Sequence, residues 1–432
     1  MSYRKNISFE FITKIIKIFL AFFTSVIIAR SLGPKDLGYV KFLLLTLTTL
    51  AQFGHIGIID ATSYFQRKSK YDLEKIFKVN FTFLCILSTL ITGTLIVLKY
   101  LDIIFENYSF TIITLTAFSI IFFTFFNNLL GATLISKEKI IELNKTLLYP
   151  NFVSIFLYFI LWLTGTLNII TYLTVFSFTT ILRNVLLIRK TDIKFRFSFD
   201  LKIIFEEVSY GIIIYFGAFF IFLNYRMDQW LIKLYLDNTQ LGLYSIGVVI
   251  AEMVLLVPTS VINPLRAKLY NINTDSSEYK KLTAKTIKFS IYITLLIALP
   301  LYFGANIISS EFLYGVRFQE SVEVIKILLL GILFLTFGKV GSHYFVIKGK
   351  PLIHLVTAFL VLSLNAILNM YLIPKIGING AAWASTISYT LYGLMYIFIY
   401  IFREKFKFSE LFILSRSEII AITDKLKLIL KR

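Results

Sequence analysis

The residues able to do chemistry in this chain are few and scattered. Arg226, Asp228, Trp230 and Lys233 fall within eight positions, Glu252 follows, and Lys339 stands one helical turn before His343. Lys14, Lys17 and Asp60 lie nearer the N-terminus. The single cysteine, Cys85, excludes an intrachain disulfide and a cysteine metal cluster. His55, His343 and His354 show no metalloprotease spacing, and no phosphate-binding loop is present. No catalytic residue, metal or cofactor is therefore expected. What remains is the binding of charge in an apolar setting.

An ionisable group within an apolar helix is costly, so it faces a cavity or a partner. Arg226, Trp230 and Lys233 are spaced i, i+4, i+7 and share one helical face. That face suits an anion and a stacked sugar ring. Asp228, two residues on from Arg226, points elsewhere and is, with Glu252 and Asp60, a candidate for coupling or charge balance. The structural alternative is that both charges tie neighbouring helices together. Glu252, expected near the middle of its helix, can neutralise Arg226 or carry a coupling proton. Lys339 and His343 suit a cytoplasm-facing vestibule. Lys14 and Lys17 are further candidates for holding a substrate anion; Lys14 has Glu10 one turn before it as a local partner, whereas Lys17 lies a turn deeper. Asp60 is a boundary residue or a further balancing charge, Lys41 snorkels, and Lys288 and Lys326 are boundary residues. Lys17, Arg226, Lys233 and Lys339 outnumber Asp228 and Glu252, so the interior favours phosphate or acidic sugar over a cationic drug.

The elements that must position these residues follow from composition. The chain has 432 residues, 57% hydrophobic and only 16% charged, with a mean hydropathy of +0.78. Too few polar residues exist to cover a soluble fold. The pattern predicts an all-α integral membrane protein with twelve helices, among them 9–29, 38–62, 208–236 and 241–263, since a crossing takes roughly 20 residues. The 44 basic residues against 25 acidic give a net charge of +19. With the N-terminus inside, 29 basic residues fall in cytoplasmic segments and 5 outside. This asymmetry predicts cytoplasmic N- and C-termini in the cytoplasmic membrane, not a nucleic-acid partner.

The polar stretch 189–207 reads as a cytoplasmic linker between two six-helix lobes, 1–188 and 208–402. Residues 403–432 read as a basic amphipathic tail on the anionic inner leaflet. Leu37-Gly38 recurs as Leu241-Gly242 in equivalent outside turns, which predicts a parallel repeat.

Three stretches carry a family resemblance. Ala29-Arg30-Ser31-Leu32-Gly33-Pro34-Lys35-Asp36-Leu37-Gly38-Tyr39 resembles the first outer turn of polysaccharide-biosynthesis flippases. Asn224-Tyr225-Arg226-Met227-Asp228-Gln229-Trp230 with Leu241-Gly242-Leu243-Tyr244-Ser245 is similar to their seventh helix and the turn after it. Asn369 to Ala384 is similar to their last helical pair. Together they cover about residues 5–405 and point to the Wzx-type O-antigen and capsule flippases of the multidrug/oligosaccharidyl-lipid/polysaccharide exporter superfamily. The resemblance implies two lobes around a central cavity, alternating access and an undecaprenyl-pyrophosphate-linked oligosaccharide as substrate. It implies membrane lipids, a polysaccharide polymerase and chain-length machinery as partners. Basic cavity residues of the family carry over to Arg226, then to Lys17 and Lys339. The residues leave a proton or sodium gradient open as the driving force. The rival readings are a lipid II flippase, whose relatives usually have fourteen helices, a cation-coupled multidrug exporter, and a membrane polysaccharide polymerase.

Overall fold

A computed structural model describes the backbone of residues 3–420, except 69, 106, 107, 257–259, 270, 271, 275, 417 and 419. The side chains of 3–12, 14, 15, 68, 140, 213, 214, 263, 264, 266, 267 and 351 are likewise left undescribed. The side chains of Lys14 and Pro264, with Pro258 and the tail residues 421–432, thus lie outside the described residues.

The described residues form helices and connecting turns, with no strand. In order these are α1 (Tyr3–Phe53), α2 (Ile58–Lys68), α3 (Leu73–Tyr100), α4 (Phe110–Ser136), α5 (Ile140–Leu163), α6 (Ile169–Thr191) and α7 (Leu201–Tyr235). There follow α8 (Asn238–Met253), α9 (Ile262–Leu269), α10 (Ser277–Phe303), α11 (Gln319–Ile347), α12 (Pro351–Phe398) and the short α13 (Phe408–Phe412). Eight helices among the described residues are long and apolar enough to cross a membrane, or nine with the bent α7. Two of these, Ile16–Arg67 and Leu352–Arg403, run for 52 residues, more than twice the roughly 20 that one crossing takes. Each is broken inside: α1 at Gly33 (φ 71°) and α12 at Ile376–Gly377 (Gly377 φ 62°). Gly33 reaches the left-handed region without a steric cost, and Pro34 behind it cannot supply a helical N–H. Leu115, Leu296 and Phe303 are 68%, 73% and 77% exposed in the middle or at the ends of apolar helices. Side chains of this kind need lipid around them.

Packing divides the chain into two compact units. The first is Met1–Ile246 with Ile308–Ser321, and the second is Gly247–Ile307 with Val322–Arg432. In the first unit, Arg30 Nη1 donates to the Glu311 carbonyl at 2.5 Å, which holds the 308–321 segment on the first turn. The 192–200 stretch is not a loose strand of chain. Phe195 packs edge-on against Phe77 and Phe81, and Ser198 N–H donates to Thr82 Oγ1 at 2.9 Å. Asp200 caps α7 and pairs with Lys75 at 2.8 Å, so its carboxyl is held below the usual range by the Lys75 hydrogen bond.

The helix expected over 38–62 is interrupted by a turn at 54–57, and α7 begins at Leu201, inside the stretch expected as a linker. The helix expected over 241–263 stops at Met253. Val254 and Leu255 N–H donate to the carbonyls of Ala251 and Glu252, three residues back, which tightens and ends the turn. Glu252 is thus in the last turn of α8 rather than in mid-helix.

Candidate functional site in the seam of the first unit

The predicted charges of α7 meet the second half of α1, with α2 continuing the contact. The two run antiparallel, so residue numbers on one side rise as they fall on the other. At one end of the contact a Cβ on Gly38 would lie 1.6 Å from the Asn238 carbonyl oxygen. A Cβ on Gly242 would lie 2.0 Å from that of Pro34. Only glycine permits backbones this close. One level inward, Lys233 Nζ stands 6.0 Å from the centre of the Phe42 ring. Lys41 lies near enough to Arg226 for their charges to repel. Trp230 Nε1 donates to Thr46 Oγ1 at 3.3 Å.

Below this cationic level the seam becomes aromatic. Phe53 packs against Tyr215, Phe219 and Phe222 with ring centres 4.9 to 5.8 Å apart. Buried His55 sits edge-on to Tyr215. Next, Gly57 meets Gly211, and Tyr64 stacks on Tyr210 at 4.6 Å. Tyr71 Oη then donates to Glu206 Oε1 at 3.3 Å.

Arg226, Trp230 and Lys233 do share a face, and α1 answers them with Lys41, Phe42 and Thr46. Asp228 points away, as its spacing predicts. Its Oδ2 accepts from the buried Tyr244 hydroxyl of α8, and its Oδ1 accepts from Gln229 N–H at 2.7 Å. This carboxylate ties α7 to α8. Lys17 is half-buried on α1, and Asp60 is exposed in the first turn of α2, where a carboxylate favours the helix N-terminus. In the second unit Glu252 is half-buried at the end of α8, and Lys339 and His343 are half-buried one turn apart on α11.

Several charged groups have partners that spacing does not reveal. Lys41, expected to snorkel, lies beside Arg226. Lys288, expected at a boundary, pairs with Glu418 at 2.8 Å, both nearly buried. Glu404 is buried where Lys348 Nζ reaches Oε2 at 2.8 Å and Tyr344 Oη donates to the same oxygen at 2.7 Å. Glu207 falls in the stretch expected as a linker. It is fully buried near Asn80, and neither carboxylate oxygen finds a hydrogen-bond partner among the described residues. No sequence signal marks these, because each depends on which helices become neighbours. Among the described residues, no group of His, Cys, Asp and Glu is placed to hold a metal ion.

This seam concentrates cations and aromatic rings in a fold of apolar helices, an arrangement for holding an anion next to a ring. The comparisons with known proteins bear on the family and the fold. The profile of the polysaccharide biosynthesis protein family matches residues 27–323. An uncharacterized membrane protein of Methanocaldococcus jannaschii is 31% identical over 144 residues, 32% of this chain and 26% of that protein. The capsular polysaccharide biosynthesis protein CapF of Staphylococcus aureus is 29% identical over 143 residues, 33% of this chain and 35% of that one. The chain thus aligns with about a quarter to a third of the length of these relatives. A structure of the lipid II flippase MurJ, in an inward closed conformation, superposes with a TM-score of 0.75 at 18% identity, covering 93% of this chain and 88% of that one. An inward-facing multidrug resistance MATE family transporter of the MOP superfamily gives a TM-score of 0.65 at 14% identity, covering 91% and 93%. Over most of its length, then, the chain belongs to the polysaccharide biosynthesis protein family, and it has the multi-pass helical fold of the MOP-superfamily transporters.

Proposed function

We propose that the chain is a flippase that moves undecaprenyl-pyrophosphate-linked oligosaccharide repeat units across the cytoplasmic membrane by alternating access. The product would feed O-antigen, capsule or another surface polysaccharide, with a polymerase and chain-length machinery downstream. The observation that carries this reading is the run of Lys41, Arg226 and Lys233 beside Trp230 and Phe42 in one seam. A pyrophosphate needs cations and a sugar favours an aromatic face. The lipid tail stays in the bilayer while the head passes. Family membership supports the polysaccharide part, and the excess of cytoplasmic Lys and Arg supports twelve crossings with both termini inside. Lys17 and Lys339 are further candidates for the substrate phosphates. Glu252, Glu207 and Asp60 are candidates for coupling to a proton or sodium gradient.

The lipid II reading has the MurJ likeness in its favour, and the two differ in the sugar carried. A cation-coupled drug exporter fits poorly with a cationic seam. The test is deletion in a host without a redundant flippase, followed by leaflet-resolved labelling of lipid-linked sugar. Loss of the outer-leaflet glycan is expected, and an unchanged outer leaflet overturns the proposal.

A further inference from the structure

A second concentration of cations lies in the second unit. Helix α10 begins behind the N-cap Ser276, whose hydroxyl accepts from Tyr279 N–H at 3.1 Å. Its first four turns hold Lys280, Lys281, Lys285 and Lys288. Lys281, Lys285 and Lys288 are spaced i, i+4, i+7 and form one stripe. Like charges at this spacing oppose helix formation. The sequence places them together nonetheless, just before the uncharged stretch 289–303.

Two clefts open on the stripe, one of about 690 Å³ and one of about 630 Å³, and they share Ser277, Lys281 and Lys285. Lys405 lines the larger and Lys268 of α9 the smaller. The larger also has an apolar wall of Phe406, Ile413 and Leu414. The far wall is fixed in place: Tyr292 Oη donates to the Phe412 carbonyl at 2.9 Å, and Lys288 holds Glu418.

The glutamates along these clefts neutralise Lys288 of the stripe but not Lys281 or Lys285. Glu418 is taken by Lys288 and by Ser415 N–H, and Glu410 accepts from Lys407 N–H at 2.8 Å. Glu278 is exposed at the helix start. Lys280 Nζ donates to the Glu404 carbonyl at 2.6 Å. Lys268, Lys281, Lys285 and Lys405 have no carboxylate within ion-pair distance among the described residues. Lys281, Lys285 and Ser277 thus line both clefts, with Lys405 and the apolar wall added in the larger and Lys268 in the smaller, where an apolar helix starts. Ammonium and hydroxyl donors bind phosphate oxygens well, and the apolar wall suits what a phosphate head drags with it.

We propose that this lysine cleft binds a phosphate group, the head of an anionic lipid being its natural carrier. The site rests on the topology of the flippase reading, in which the 264–285 and 403–432 segments face the cytoplasm, but not on the identity of the transported sugar.

The test uses the full-length protein in nanodiscs and follows lysine acetylation by mass spectrometry. Phosphatidylcholine discs with phosphatidylglycerol are compared with phosphatidylcholine alone, and with phosphatidylcholine plus inorganic phosphate. Protection of Lys281 and Lys285 by about tenfold, with exposed Lys194 unchanged as a reference on the same side, is expected at saturating ligand. Protection by phosphatidylglycerol alone identifies the lipid head as the source, and protection by inorganic phosphate identifies a soluble one. Absence of protection in both arms overturns the proposal. As a second measurement, the Lys281→Gln/Lys285→Gln variant should retain about tenfold less phosphatidylglycerol in native mass spectrometry, and Lys281→Arg/Lys285→Arg should retain it. Equal retention by the glutamine variant also overturns the proposal. Neither readout involves transport, so a failure of the flippase assay leaves them unaffected.

Discussion

Arg226 and Asp228 stand two residues apart on one helix and have separate roles. Asp228 is bound to the Tyr244 hydroxyl of α8 and serves to join two helices. Arg226 sits in a seam with Lys41 close enough to repel it and Lys233 over Phe42. Three cations gathered in an apolar fold raise the local potential in favour of an anion. Arg226→Ala should therefore abolish complementation of a flippase deletion while immunoblotting shows normal expression. A charge-assisted contact to phosphate is worth about 1.5 to 3 kcal/mol, enough for a loss of roughly tenfold to a hundredfold in affinity. Arg226→Lys should restore part of the activity, since it keeps the charge and loses the bidentate geometry. Full activity of the alanine variant would remove Arg226 from the site. The i, i+4, i+7 face was legible from spacing alone. The partnership with Lys41 was not, because Lys41 lies 185 positions earlier in the sequence and near a helix end where snorkelling is the ordinary reading.

At the scale of elements, the repeated Leu-Gly pair has a structural purpose. Gly38 and Gly242, one from each Leu-Gly pair, pack on each other's turns where any Cβ would overlap a carbonyl oxygen. A methyl at Gly242, 2.0 Å from the Pro34 oxygen, must push the break of α1 and the start of α8 apart. The neighbouring Leu37 is 1% exposed. In a Cys85→Ser background, a Leu37→Cys reporter should react slowly with maleimide. Adding Gly242→Ala should speed that reaction by about tenfold or more, the opening of a closed contact being worth at least ~1.4 kcal/mol here. Gly93→Ala is the control, because nothing lies within 4 Å of a Cβ there. An unchanged rate with Gly242→Ala would mean that the contact yields by local adjustment. The repeat was visible in the sequence as a coincidence of position, but the mutual contact of the two turns appeared only in three dimensions.

At the scale of the whole molecule, each unit holds itself together by interactions that run far along the chain. In the second, Glu404, just beyond α12, joins Lys348, just after α11, with Tyr344 of α11 sharing the same oxygen. Burial pushes the Glu404 carboxyl up, but the Lys348 and Tyr344 hydrogen bonds outweigh it and leave the group below its ordinary range. A depressed folded value means that the stabilisation is complete above the unfolded carboxylate value of roughly 4.3 and is lost as pH falls through the folded one. Thermal unfolding in detergent should therefore weaken below about pH 4.3. Glu404→Gln should remove that component of the pH dependence and cost about 3 kcal/mol at neutral pH, because Lys348 is left without its charge partner. An identical pH profile in the variant would show that other carboxylates govern the acid limb.

The sequence by itself determined that this is an apolar helical chain for lipid surroundings, and which family it resembles. Those properties depend on composition, on 3.6-residue spacing and on turn residues such as Gly33 and Gly377, all of them local in the chain. Only the tertiary structure decided that Lys41 joins Arg226, that Asp228 belongs to Tyr244, that Glu252 ends a helix, and that Glu418 closes on Lys288. The reason is physical: in an environment where almost every helix face is apolar, periodicity does not say which face meets which neighbour. The choice is made by close backbone approach and by the pairing of the few charges present.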